Sequence, residues 1–257
     1  MPPRTGYVLP FAARLGAGQV FSAARAVEVR CTPRGESHPA DRAANALRVF
    51  ADLAATGALA GAGIRPADSF LVAEPGRWRN DPPSALFTAA LIDESSAVVL
   101  ANLLLACVNE YPLASVTMSG PADSATEVLR TDPDEVFDYP ARYDPLPFAI
   151  EDEQPSGDSF AITAEFVAPP TDATVEQLRT ELNRWVSAVQ LGAYAIAPDS
   201  PAESHVETED DALVAFDTTI EWGFSNLRAD TACLDGLVNL FAAFHFRVQP
   251  LTHWRIS

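Results

Sequence analysis

The sequence predicts an α+β fold: a tandem duplication of a ferredoxin-like β-α-β-β-α-β unit, with antiparallel sheets that each carry their helices on one face. Three observations predict it. A repeat runs through the chain at a nearly constant offset, the hydrophobic periodicity changes between strand and helix in the same order in each copy, and an acidic, proline-rich stretch separates the copies.

The repeat is visible residue by residue. Leu100, Asn102, Leu103 and Ala106 match Leu237, Asn239, Leu240 and Ala243, while Pro112, Leu113 and Ser119 match Pro250, Leu251 and Ser257. Val116 and Met118 answer Trp254 and Ile256, and Glu28 answers Glu165. Boundaries follow: residues 1–19 form an irregular lead-in, 20–120 the first unit, 121–159 a linker and 160–257 the second unit.

In the first unit, alternation from Phe21 to Cys31 predicts a strand that Pro33-Arg34-Gly35 ends. Ala43, Ala46, Leu47, Phe50, Leu53 and Ala54 have helical spacing, and Gly57 is placed to stop that helix. Strands are predicted at Ser69–Ala73 and Ala85–Ile92, with turn residues from Glu74 to Pro83 between them. A strongly apolar helix over Ala97–Asn109 and a strand over Pro112–Met118 complete the unit.

The second unit begins with a strand at Phe160–Val167. Its first helix starts near Asp172 or Thr174, where Thr174 and Gln177 suit a capping box, and buries Leu178, Leu182, Trp185, Val186 and Val189. Residues 192–211 suggest only a short strand near His205. A strand over Ala212–Glu221, a turn around Gly223 and Asn226, a helix over Asp230–Phe246 and a strand over Pro250–Ile256 follow.

Composition excludes several chemistries. All 17 basic residues are arginine, which rules out a Walker lysine, a lysine Schiff base and lysine-dependent aldol chemistry. Cys31, Cys107 and Cys233 are scattered through apolar segments, as core thiols in a reducing, cytoplasmic setting would be. The sequence implies no cofactor and no metal, since no phosphate loop, nucleophile elbow or ligand spacing is present. The formal charge of −18 is uneven: residues 1–128 carry 12 acids against 10 arginines, and the remainder 23 against 7. Such a surface repels nucleic acid and anionic membranes, and it either attracts a basic protein or simply keeps the chain soluble.

Candidate site residues come from alternation in the second unit. A strand order of 4-1-3-2 sets the first strand between the fourth and third, placing Glu165 between His253 and Asp217 on the open sheet face, with Arg255 nearby. Val214, Phe216 and Ile220 are expected to be buried, and Asp217, Thr219 and Glu221 open. A histidine beside a carboxylate is the minimum for acid-base work near neutral pH; a cross-strand ion network is the other reading. Trp222 and Phe224, with Glu221, are candidates for an exposed partner contact, or else cover the end of an enlarged core. His245, at a helix end, is suited to a cationic capping role.

Packed face to face, the two sheets would bring Glu28, Arg30, Thr88, Ser115 and Thr117 of the first unit to the same cavity. That arrangement resembles the dimeric α/β-barrel superfamily of small monooxygenases, isomerases and chlorite-dismutase-like haem proteins, by fold and duplication alone. Two functions are therefore expected in competition. One is a non-catalytic acidic protein, inhibitor-like or immunity-like, that engages a basic partner. The other is a small-molecule enzyme or carrier using His253 and Glu165.

Overall fold

The computed structural model describes residues 25–31, 40–59, 73–80, 83–89, 96, 99–100, 102–103, 106, 113–119, 139, 141–152, 159–195 and 205–257. The fold is α+β, and the chain clusters into two units, Met1–Ala55 with Phe70–Tyr139 and Thr56–Ser69 with Pro140–Ser257. The second unit is thus drawn from two separate stretches of chain.

The first sheet contains β1 (Arg25–Cys31), β2 (Ala73–Asn80), β3 (Pro83–Ala89) and β4 (Leu113–Ser119), all antiparallel, in the order β2-β3-β1-β4. Strand β2 runs through the stretch that turn residues mark as irregular, and the strand expected at Ser69–Ala73 lies, apart from Ala73, outside the described residues. The register shift between Glu74 and Arg77 takes up Pro75 and Gly76 as a bulge. An edge strand tolerates a proline because one side of its backbone needs no ladder partner.

Helix α1 (Ala40–Thr56) buries Ala46, Leu47, Phe50, Leu53 and Ala54, as their spacing requires. Arg48 pairs with Asp52 at 3.0 Å on its exposed side. Gly57 ends the helix with φ of +89°, a conformation in which a Cβ is strained. The described residues between 96 and 106 are also helical, with Val99, Leu100 and Leu103 buried.

The second sheet is mixed and has five strands in the order β5-β9-β6-β8-β7. These are β5 (Ala149–Asp152), β6 (Ser159–Phe166), β7 (His205–Phe216), β8 (Thr219–Arg228) and β9 (Leu251–Ile256). Strand β5 lies inside the stretch 121–159 that composition marks as linker, and it pairs parallel to β9. The buried Phe148 leads into it, supplying an apolar anchor that the surrounding acids obscure. The lead-in residues 1–19 and the rest of that acidic stretch lie outside the described residues, apart from Tyr139, 141–148 and Ser159, the first residue of β6.

Helices α2 (Asp172–Gln190) and α3 (Ala232–Arg247) cover one face of this sheet. Trp185 of α2 meets Trp222 edge-on at 6.0 Å and Phe224 at 6.1 Å. Phe244 of α3 lies 6.3 Å from Phe166, and Phe241 lies 6.1 Å from Trp254. The Trp185 Nε1–H donates to the Cys233 carbonyl at 3.1 Å, whereas the buried Trp254 Nε1–H has no hydrogen-bond partner among the described residues. Leu178, Leu182, Trp185, Val186 and Val189 form the buried stripe of α2. Its cap, however, is Thr171, whose side chain accepts from the Thr174 N–H at 3.2 Å. Thr174 itself lies inside the first turn, so the Thr174–Gln177 capping box does not form.

The stretch Ala212–Glu221 is two strands and not one. A two-residue turn at Asp217-Thr218 separates β7 from β8, and Asp217 adopts φ of 50°, which a short polar side chain tolerates. Residues 223 and 226 consequently lie on β8 and not in a turn. Asn226, with φ of 55°, sits at a register shift where β8 holds one extra residue, a bulge. A larger irregularity lies between Thr208 and Leu213, where β7 advances further than its partner does from Phe224 to Trp222. No helix among the described residues is long and apolar enough to cross a membrane.

Candidate functional site

Register partners in a sheet share a face, so the open face of the second unit can be read as two rows crossing all five strands. One row is Phe216, Thr219, Glu165, His253 and Ala149; the other is Val214, Glu221, Thr163, Arg255 and Glu151. Ile162, Ala164, Phe166, Ile220, Trp222, Phe224, Trp254 and Ile256 are buried on the opposite, helix-covered side.

Strand β6 does lie between β9 and β8, and Glu165 stands directly opposite His253. Their side chains do not join. The His253 Nε2 instead lies 3.5 Å from Glu151 Oε2, an ion pair when the imidazole is protonated. The cause is β5, whose parallel pairing with β9 puts Glu151 within reach of the ring. The Glu165 carboxylate is exposed, with no hydrogen bond or ion pair among the described residues. Arg255 is exposed opposite Thr163. Asp217 occupies the hairpin turn and therefore leaves the expected group; Thr219 stands across from Glu165 in its place.

The partner-contact residues also divide. Trp222 and Phe224 are buried, 4% and 3% exposed, with ring centroids 5.1 Å apart in the core beneath β8. They are structural, because the hairpin carries them onto the helix-covered face. Glu221 remains exposed on the open face. Conversely, Val214 and Phe216, expected to be buried, are 53% and 50% exposed beside Glu221 and Thr219.

Two clusters escape the sequence reading. At one corner of the sheet, His205 Nε2 lies 3.0 Å from Glu207 Oε1, and the Asn226 Nδ2–H donates to Glu207 Oε2 at 2.6 Å. These contacts, the His205 one first, hold the Glu207 carboxyl below its ordinary value. Within the unit, the buried Glu181 carboxylate accepts from Arg247 Nη2 at 3.2 Å and Gln177 Nε2 at 3.3 Å. Arg247 Nη2 also donates to the Thr56 carbonyl at 2.6 Å. Burial pushes the Glu181 carboxyl up, and Arg247 opposes that shift.

Buried Asn239 bridges chain segments in the same unit. Its Nδ2–H donates to the Ala141 carbonyl at 2.9 Å and its Oδ1 accepts from the Tyr143 N–H at 2.7 Å. In the first unit, Asn102 donates to the Tyr139 hydroxyl at 2.6 Å. Arg142 pairs with Asp235 beside the Asn239 bridge.

His245 does not act as a cationic cap. Its Nδ1 accepts from the Leu251 N–H at 2.9 Å, which occupies the lone pair and sets the proton on Nε2. Burial holds this imidazole below its ordinary value. A histidine depressed in the folded state favours folding above its unfolded value, about 6.5, and loses that contribution as pH falls through the folded one. Denaturant titrations should therefore show stability declining below about pH 6.5. In His245→Asn, whose amide oxygen can accept the same bond without titrating, that decline should flatten. An unchanged pH slope in the variant would exclude His245 as its source.

Cys233 is buried and unpaired, with its thiol pushed up strongly by burial, so it is a packing group and not a nucleophile. Among the described residues no three His, Cys, Asp or Glu side chains converge as a metal ligand set. The open face carries the exposed carboxylates Glu151, Glu165 and Glu221, with the exposed apolar side chains Val214 and Phe216 at one end. No protein-family model matches the chain, and no curated protein matches it.

Proposed function

We propose that the chain is a tandem pair of ferredoxin-like units whose acidic second half engages a basic protein, as an inhibitor-like or immunity-like module without catalysis. The duplication is supported by strand order. Read in chain order within each half, β4-β1-β3-β2 and β9-β6-β8-β7 are the same permutation, 4-1-3-2, with β5 added at one edge of the second. The repeated residues Asn102 and Asn239 support it too, since each is buried in a helix with its amide hydrogen-bonded to the segment 139–143.

The observation that carries the binding reading is the charge distribution. Residues 129–257 hold 23 acids against 7 arginines, and on the open face Glu151, Glu165 and Glu221 are exposed. A field of that sign speeds encounter with a basic partner and excludes nucleic acid and anionic lipid. The enzymatic alternative, His253 with Glu165 as an acid-base pair, receives less support, because the imidazole turns to Glu151 and Glu165 is left solvated.

The test is capture with the immobilised full chain from cell lysate, followed by elution in a salt gradient. Proteins with an excess of basic residues should be held at about 50 mM salt and released by about 500 mM, where the screening length falls to a few ångströms. If nothing basic is retained at low salt, or retained proteins ignore the gradient, the reading fails.

A further inference from the structure

We infer that the docking surface is the β7–β8 side of the open sheet face in the second unit, and that it takes a basic protein presenting a large apolar side chain beside arginine or lysine. This rests on the binding reading above and adds to it a surface and a partner chemistry.

Val214 and Phe216 are the starting point, because each leaves about half of a large apolar side chain in water. Their register partners, Glu221 and Thr219, set them on the open face. Val167, 64% exposed, leaves β6 beside the same hairpin, where the Phe166 N–H donates to the Thr218 carbonyl. Three of the four exposed large apolar residues among those described thus gather at one end of the sheet.

The carboxylates stand at fixed steps from them. Neighbouring strands are about 5 Å apart, so the Glu221 backbone lies about that far from Val214, and the Glu165 backbone, one strand further, about 10 Å from Phe216. Among the basic residues of the face, Arg255 and His253 lie on β9, beyond β6, where Glu151 also stands, and Arg228 lies on β8 opposite His205, at the end away from the hairpin. The hairpin end of the β7–β8 side is therefore apolar and anionic together. An apolar side chain flanked by arginine or lysine satisfies both halves, and removing a solvated apolar pair from water adds affinity that charge alone lacks.

Other occupants fit less well. A second copy of the chain, related by a twofold axis through this patch, would bring Glu165 and Glu221 toward their own images and set one −18 chain against another. Anionic lipid and nucleic acid are repelled by the same carboxylates. Addition of a strand along β7 meets an interrupted edge, because the irregularity between Thr208 and Leu213 breaks the regular ladder there.

The experiment measures binding of the full chain to an amphipathic arginine-leucine peptide, and to the same peptide with its leucines changed to serine. Glu165→Gln with Glu221→Gln is compared with Asp172→Asn plus Glu176→Gln, an exposed pair on α2 that removes the same charge. The face pair should weaken binding roughly tenfold and the helix pair less than about threefold. Phe216→Ser should weaken binding of the leucine peptide roughly tenfold and leave the serine peptide within about twofold. Circular dichroism melts establish that all variants are folded, as substitutions at exposed positions should be.

If the wild-type chain binds neither peptide at low salt, the basic-partner reading itself fails. If it binds but both charge pairs weaken it equally, or Phe216→Ser does not distinguish the peptides, that reading stands and the assigned surface is overturned. A stable dimer of the unmodified chain that dissociates with Phe216→Ser would also overturn it, in favour of self-association.

Discussion

Arg247→Met should destabilise the second unit by about 3 kcal/mol, because it strands the Glu181 carboxylate in a buried site. Glu181 is 6% exposed, and its ion pair with Arg247 is the largest of the contacts that offset its desolvation, ahead of Gln177 and Arg184. The same substitution removes the 2.6 Å donation to the Thr56 carbonyl. Glu181→Gln in the Arg247→Met background should recover part of the loss, since a neutral amide can stay buried at smaller cost. The pH dependence gives an independent readout. A carboxyl whose folded value is raised contributes stability that is complete below the unfolded value, about 4.3, and is lost as pH rises through the folded one. Without Arg247 the shift grows, so the variant should regain stability as pH falls from 7 toward 5. Urea titrations at a series of pH values check this; a loss that is the same at every pH would mean that packing, not charge, explains it.

Gly57→Ala should cost a similar amount by a different route. With φ of +89°, Gly57 sits where an L side chain costs about 1–2 kcal/mol. A Cβ there would also stand 2.3 Å from the Ala243 Cβ of α3, and overpacking of that kind adds about 1–3 kcal/mol. The total expected is about 3 kcal/mol. Ala243→Gly removes the steric part but itself costs about 1 kcal/mol in the interior of α3, so the comparison is a double-mutant cycle. In the Ala243→Gly background, Gly57→Ala should cost only the backbone part; no cost there would show that the backbone conformation carries no penalty, and an undiminished cost would show that the close approach does not matter.

Much of this fold is legible in the residues because local and long-range requirements agree. Gly57 ends α1 as its position predicts, and the stripe from Leu178 to Val189 is buried along α2. Trp254 and Ile256 turn to the helices while His253 and Arg255 turn away, as alternation requires. The hairpin at Asp217-Thr218 is where the reading breaks. Val214, Phe216, Ile220 and Trp222 keep an unbroken period of two, but a two-residue turn inverts which parity faces the core. Asp-Thr is a much weaker hairpin signal than Asn-Gly, so nothing in the local chemistry announces the inversion.

The candidate site is affected by that inversion and by one further strand. Alternation and strand order together place Glu165 opposite His253, and the register sets them there. Their chemistry depends on Glu151, which belongs to a strand of four residues in an acidic stretch with little β propensity. Within that strand only Ala149 and Ile150 are apolar, and two adjacent residues are too few to show a period. Trp222 and Phe224, the two aromatics most suggestive of a contact, are core residues for the reason that misplaced Val214 and Phe216.

The divided make-up of the second unit has a consequence for how the protein comes off the ribosome. Ala58 and Leu59 are wholly buried in that unit, and the Ala58 carbonyl lies 3.5 Å from the Asn239 amide, 181 positions later in the chain. At translation rates of about 5–20 residues per second, that carbonyl waits roughly ten to forty seconds for its partner to be made. The short segment behind α1 must stay uncovered and uncommitted for all of that time. Closing so long a loop is slow and entropically costly, so the contact between Ala58 and α3 forms late in the building of this unit.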